Sequence, residues 1–233
     1  MEVQLGVAKV AKYGVSISGD TFEMIERPHG GLSAVLVDGQ RSGRSAKIIS
    51  NLVARKAISL LGEGVRDGAT ARAAHDYLRT HREGQVSAEL QMLSVDLRSH
   101  SVVISRNSHC PALVVAGDTA SLFDSPSDAI GIHVFTKPVI LELPLQAGLY
   151  VMLFTDGLLQ SLLTSITLEI LLGLFASAAQ ELCPAQSVAD NILERALQAS
   201  DSRPRDDISI LVLAVIPEHA KPHVRRLSLS FPV

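Results

Sequence analysis

The chain has 233 residues, of which 47% are hydrophobic and 19% charged, with a formal net charge of -3; that is enough apolar sequence for one sizeable core within a single domain. A near-neutral balance with no basic run over most of its length excludes a nucleic-acid groove, whose phosphate contacts need clustered Lys and Arg. Two cysteines, Cys110 and Cys183, supply no disulfide framework, and the opening MEVQLGVAKV lacks the charged-then-apolar pattern of a signal peptide, so a cytoplasmic protein is expected.

In chain order, strand-like apolar runs occupy residues 3–8, 15–18 and 32–37. Residues 46–61 then place Ile49, Leu52, Val53, Leu60 and Leu61 on one helical stripe, with Gly62 positioned to stop the helix in a left-handed cap. A second helix is predicted over 70–82. Strands follow at 88–97 and 102–106, joined by a hairpin connection through Arg98, Ser99, His100 and Ser101, and at 112–115, 139–143 and 149–155. The leucine-rich stretch 158–175 is interrupted by Gln160, Ser161, Thr164, Ser165, Thr167 and Glu169 well short of a membrane span, so it reads as buried helix. Helices over 167–178 and 187–199, the latter opening on Ser187 as a cap, precede a last strand at 208–216.

Residues 150–154 and 208–215 are apolar at nearly every position, which requires cover on both faces. Long successions of strands separate the helices, against a strand–helix alternation with a parallel sheet. The predicted fold is α+β, a two-layer antiparallel β-sandwich flanked by helices. Residues 1–216 form its single domain, and residues 217–233, with Pro217, Pro222, Arg225 and Arg226, form an extended, weakly ordered tail able to touch a partner.

The recurring event is an apolar run that meets an aspartate: VSISGD, SAVLVDG, YVMLFTDG and, in the reverse sense, RPRDDISILVLAV. Side chains at strand ends sit on rigid elements yet reach a cleft. Asp20, Asp38, Asp156 and Asp206 could therefore converge as oxygen ligands for hard cations such as Mg²⁺ or Mn²⁺, which lower the pKa of a bridging water and clamp a phosphoryl group. Glycine after Asp38 and Asp156 lets the backbone turn close to an ion, so the Gly39 carbonyl is itself a candidate ligand. Asp206 and Asp207 should point to opposite sides if strand geometry has begun there, and Asp206 is expected to face the site. Singly, each Asp-Gly pair is ordinary turn chemistry.

Five segments in this order, SGD at 18–20, VDGQRSGRSA at 37–46, SHCP at 108–111, FTDG at 154–157 and DDIS at 206–209, resemble the metal-dependent PPM (PP2C-like) phosphatases, in particular the bacterial branch of SpoIIE, RsbU and RsbX, over roughly residues 5–216. The resemblance implies an antiparallel sandwich flanked by helices and two cations. Asp38 would bridge them, the Gly39 carbonyl would be a ligand, Asp156 and Asp206 would bind the first, and Asp20 would act on the second directly or through water. The DGQ-x-SG form is closest to RsbX-like stressosome phosphatases, which implies phosphoserine or phosphothreonine on STAS-domain scaffold or anti-anti-sigma-type proteins as substrate.

The chain departs from that pattern at Arg41, where the branch commonly has glycine, and at Gln40, where eukaryotic relatives carry a histidine thought to be the general acid. The leaving-group acid is thus open, with His29, His109 or a water as candidates. Arg41 and Arg44 lie in the loop between Asp38 and the first turn of the best helix, where guanidinium groups and free amides could receive phosphate oxygens. No Cys is followed six residues on by Arg, the positions being Ala116 and Ala189, and GxSxG, GxxxxGK[ST] and HExxH are absent. A catalytically silent PPM-like binding module and a metal-dependent hydrolase of a small phosphoester are the competing readings.

Overall fold

Two five-stranded antiparallel sheets form the centre of the molecule, and the reason both tolerate all-apolar strands is visible in their layering. The computed structural model describes residues 1–162, 166–217 and 224–230. The first sheet comprises β1 (Glu2–Val10), β10 (Ile208–Ile216), β9 (Leu149–Phe154), β6 (Ala112–Ala116) and β7 (Thr119–Phe123), in that order. The second comprises β2 (Thr21–Glu26), β3 (Gly31–Gly39), β4 (Ala88–Asp96), β5 (Ser101–Asn107) and β8 (Val139–Pro144). Helices α1 (Gly43–Gly62) and α2 (Asp67–His81) belong with the second sheet, and α3 (Asp156–Leu162), α4 (Leu168–Gln180) and α5 (Ala185–Ala199) with the first.

Side chains alternate across a strand, so each strand feeds two cores. From β10, Leu211, Leu213 and Val215 pack between the sheets against Leu36, Leu93 and Ile104, while Ile210, Val212 and Ala214 pack outward against Phe175, Val188 and Ile192 of the helices. Val35, Val37 and Met92 likewise face α1 and α2, where Val53, Ala57 and Leu78 meet them. The predicted α+β sandwich with helices outside is the observed architecture.

Four local expectations are corrected. Residues 15–18 form no strand; the strand follows Asp20 instead, as β2. Gly62 stays helical as the last residue of α1, where a Cβ would press on Ile25; Glu63 caps the helix in the right-handed region and Gly64, at φ 85°, takes the left-handed turn. Ser187 lies inside α5, which opens after Pro184. The stretch 158–175 is two helices, α3 and α4, with residues 163–165 outside the described segments; Thr167 caps the second by accepting from the Ile170 N–H. Strands β2 and β7 escaped the sequence reading because TFEMIE and TASLF carry polar residues on an exposed face.

β1 and β10 pair along their whole lengths, Glu2 opposite Ile216 and Val10 opposite Ile208. Beyond Pro217, the described residues 224–230 have no regular structure and are exposed, and Arg225 pairs with Glu26.

Candidate active site

Strand parity carries polar side chains into one end of the sheet gap. On β3, Ala34 and Leu36 point between the sheets, and the next residue of that parity is Asp38. On β4, Leu93 and Val95 occupy the gap; Gln91 and Glu89 continue the row, and Gln91 Nε2 crosses to donate to the Phe154 carbonyl at 2.7 Å. The gap thus grades from aliphatic core to amide to carboxylates, and it opens as a cavity of about 190 Å³ lined by Asp38, Glu89, Asp156 and Asp206 together with Gly39, Gln40, Arg41, Ser87 and Ala88.

Asp38 stands opposite Glu89 in the β3–β4 ladder. Asp156 begins α3 directly after β9, and Asp206 comes from the bend before β10. Burial, reinforced by the charges of Asp20, Asp156, Glu89 and Asp206, pushes the Asp38 carboxyl up to about 9. Burial and then Asp206 also raise Asp156. Carboxylates that resist ionising in one another's company are relieved by a cation. The donors, Asp38, Asp156, Asp206 and the Gly39 carbonyl, are all oxygens and suit Mg²⁺ or Mn²⁺. Among the described residues no three acidic, His or Cys side chains already close into a cage.

Asp20 is not in the cavity lining. It is 1% exposed, its Oδ2 accepting from Thr155 Oγ1 at 2.9 Å and Ser209 Oγ at 2.7 Å. Burial raises it to about 7 against the pull of those hydroxyls and of Lys9. Lys9 and Lys47 both donate to its backbone carbonyl. Asp207 is buried apart from the cavity and accepts from Lys12 N at 2.9 Å and Gly19 N at 2.8 Å, so the two adjacent aspartates do part company.

Arg41 lines the cavity with its backbone at φ 76°, a left-handed conformation that glycine adopts freely and arginine does not. That is the position where the related pattern carries glycine. Arg44 is exposed in the first turn of α1 and does not line the cavity. His29 sits in the turn between β2 and β3, at the end of β3 opposite to Asp38, beside Gly64; it is removed as a candidate acid. His109 is not in the cavity lining but adjoins it through Glu89, its Nδ1 2.6 Å from Glu89 Oε1.

Glu89 is the residue that the sequence reading missed. Both its oxygens are already engaged, Oε2 by Ser108 Oγ at 2.5 Å and Oε1 by His109, so it is a wall of the cavity tied to the 108–110 segment. The available signal was a charged residue at period two from Gln91 and Leu93 at the start of an apolar strand.

The profile of the family "Stage II sporulation protein E (SpoIIE)" matches residues 28–216. The chain belongs to the SpoIIE family. It is 22% identical over 214 residues to Stage II sporulation protein E of Bacillus subtilis (strain 168), covering 91% of this chain and 26% of that protein, so it spans about a quarter of the relative's length. The structure of the PP2C phosphatase domain of Bacillus subtilis SpoIIE, with a fragment of its regulatory domain, superposes with a TM-score of 0.78 at 21% identity, over 95% of this chain and 64% of that one. A chain from the bacterial stressosome superposes with a TM-score of 0.68 at 15% identity, over 91% of this chain and all (100%) of that one. SpoIIE membership and a PP2C phosphatase fold agree with the layers and the strand order. Among the described residues, no helix is long and apolar enough to cross a membrane.

Proposed function

We propose that this SpoIIE-family chain is a metal-dependent serine/threonine protein phosphatase. The observation that carries the reading is the cavity itself: Asp38, Asp156 and Asp206 converge from three separate elements, and Asp38 is pushed to about 9 by burial and the charges around it. When bound, one or two Mn²⁺ or Mg²⁺ ions would activate a water and neutralise phosphoryl oxygens. Asp38, the Gly39 carbonyl, Asp156 and Asp206 are the residues that would hold them, with Asp20 acting from behind through the charge it exerts on Asp38. Arg41, exposed at the cavity rim, and more distantly Arg44 would meet the substrate phosphate along with the N-terminal amides of α1, whose Ser42 makes no side-chain cap.

The substrate in this reading is a phosphoserine or phosphothreonine on a cytoplasmic signalling protein, of the STAS-domain stressosome or anti-anti-sigma type, as for RsbX-like enzymes. Its supports are the DGQ-x-SG segment and the likeness to a stressosome chain. Residues 1–216 are read as one phosphatase domain, supported by the full-length β1–β10 pairing, and residues 217–233 as an appended tail.

The test is p-nitrophenyl phosphate hydrolysis with and without Mn²⁺, for the wild type, Asp38→Ala and Asp156→Ala. Turnover should require the metal and vanish in both variants. Metal-independent turnover, or turnover that survives Asp38→Ala, defeats the mechanism. The partner assignment fails separately if a phosphorylated STAS protein is processed no faster than an unrelated phosphopeptide.

A further inference from the structure

An exposed histidine is mounted on a buried scaffold at the cavity edge. Arg106, 1% exposed, donates to the carbonyls on either side of His109, those of Ser108 at 3.2 Å and of Cys110, and to the Ser125 carbonyl at 2.9 Å. Ser108 Oγ donates to Glu89 Oε2 at 2.5 Å and accepts from the Cys110 N–H at 3.0 Å. Glu89 Oε1 accepts from the His109 N–H at 3.2 Å and lies 2.6 Å from its Nδ1. The imidazole side chain itself is 75% exposed. Burying a guanidinium is costly unless its donors are used; here Nη1 and Nη2 are spent on the carbonyls of Ser108, Cys110 and Ser125, which hold the backbone on both sides of one solvent-facing ring, while Nε has no hydrogen-bond partner among the described residues. Packing alone would need the carbonyls of Ser108 and Cys110 but not that ring.

We propose that His109 is the proton donor to the leaving oxygen of the phosphorylated serine or threonine, with Glu89 as its positioning residue. The inference rests on the phosphatase reading. Glu89 lines the cavity and anchors Nδ1 from its wall, which leaves Nε2 free for a group entering from solvent. In the step, a water oxygen bonds to phosphorus as the bond from phosphorus to the side-chain oxygen breaks. The Nε2 proton moves to that oxygen, releasing the protein hydroxyl and phosphate, and the proton shed by the water returns to the imidazole through solvent. His29 cannot serve, because it lies at the far end of β3.

A positioned acid contributes about 10² to 10⁴ in rate, most where the leaving group is poor. The experiment compares wild type, His109→Gln and Glu89→Gln in Mn²⁺ on p-nitrophenyl phosphate, phenyl phosphate and a phosphoserine peptide. His109→Gln should lose roughly 100-fold on the phenyl ester and the peptide, and at least about tenfold less than that on the nitrophenyl ester. Glu89→Gln should shift selectivity the same way by a smaller factor. Equal losses on all three substrates, or none, overturn the proposal, and since His109 is exposed, misfolding does not confuse the result. If the wild type hydrolyses none of them, the phosphatase reading fails and takes the proposal with it; if only the selectivity is unchanged, the phosphatase reading stands without His109.

Discussion

Asp38 on β3 pairs directly with Glu89 on β4, two acids facing one another at the mouth of the sheet gap. Opposed acids destabilise a ladder, by about 1 kcal/mol in ordinary sheets, and with the Asp38 carboxyl pushed up to about 9 the metal-free protein carries that cost near neutral pH as a proton that Asp38 must bind. Asp38→Asn should therefore raise the stability of the metal-free protein by about that amount while abolishing Mn²⁺-dependent turnover. Thermal unfolding in EDTA checks the first part, and a lower midpoint in the variant would contradict it.

The raised carboxyls fix the sign of the pH dependence. A carboxyl whose folded pKa exceeds its unfolded value binds more protons in the native state between the two, so stability falls as pH rises through that interval. Asp20 at about 7 and Asp38 at about 9 set the interval from about pH 4, the unfolded value, up to 9. Metal-free protein should lose stability across it, and saturating Mn²⁺ should flatten or reverse the trend. Urea midpoints measured in EDTA that increase with pH over the same range would refute the assignment.

Asp206 and Asp207 should separate function from folding. Asp207→Ala leaves the Lys12 and Gly19 amides without their acceptor, a loss of about 1–3 kcal/mol. Asp206→Ala should change stability by no more than about 1 kcal/mol yet remove turnover. Denaturant unfolding and p-nitrophenyl phosphate assays on the pair distinguish them; equal destabilisation would argue that Asp206 is structural.

Gly157 has no room for a side chain, since an added Cβ would collide with the Asp207 carbonyl. Gly157→Ala is expected to cost about 1–3 kcal/mol and to displace Asp156 beside it, lowering metal affinity. Gly39→Ala meets the Ala46 carbonyl in the same way. Calorimetric Mn²⁺ titration of the two variants reads this; unchanged affinity would show that the glycines are merely turn residues.

Arg41→Gly should relieve a left-handed arginine backbone, a gain of about 1 kcal/mol, and weaken phosphosubstrate binding. A higher melting temperature with a raised KM is the expected pair of results. A KM that does not move would remove Arg41 from the phosphate site.

How much of this was legible in the sequence depends on the range of the interaction that decides it. The apolar runs of β3, β9 and β10 and the glycines after Asp38 and Asp156 are local signals, and they located three cavity carboxylates and the layered fold. Residues 15–18 show where the same logic failed: VSIS reads as a strand, but the backbone there turns so that Gly19 reaches Asp207 and Asp20 turns inward to Thr155 and Ser209. The cap expected at Ser187 was misleading, because a serine inside the first turn looks the same in sequence as one before it.

The sequence by itself determined the binary pattern: which strands needed cover on both faces, and which aspartates sat at their ends. Only the tertiary structure decided which acids share one cavity. Glu89 meets Asp38 because two helices intervene between β3 and β4 and the chain returns in a register that no local pattern encodes. The same long-range pairing joins His109 to Glu89, leaves His29 at the other end of β3, and withdraws Asp20 behind the site it was expected to line. A side chain's direction is set within a few residues by strand parity; what it faces is set by partners dozens of residues away.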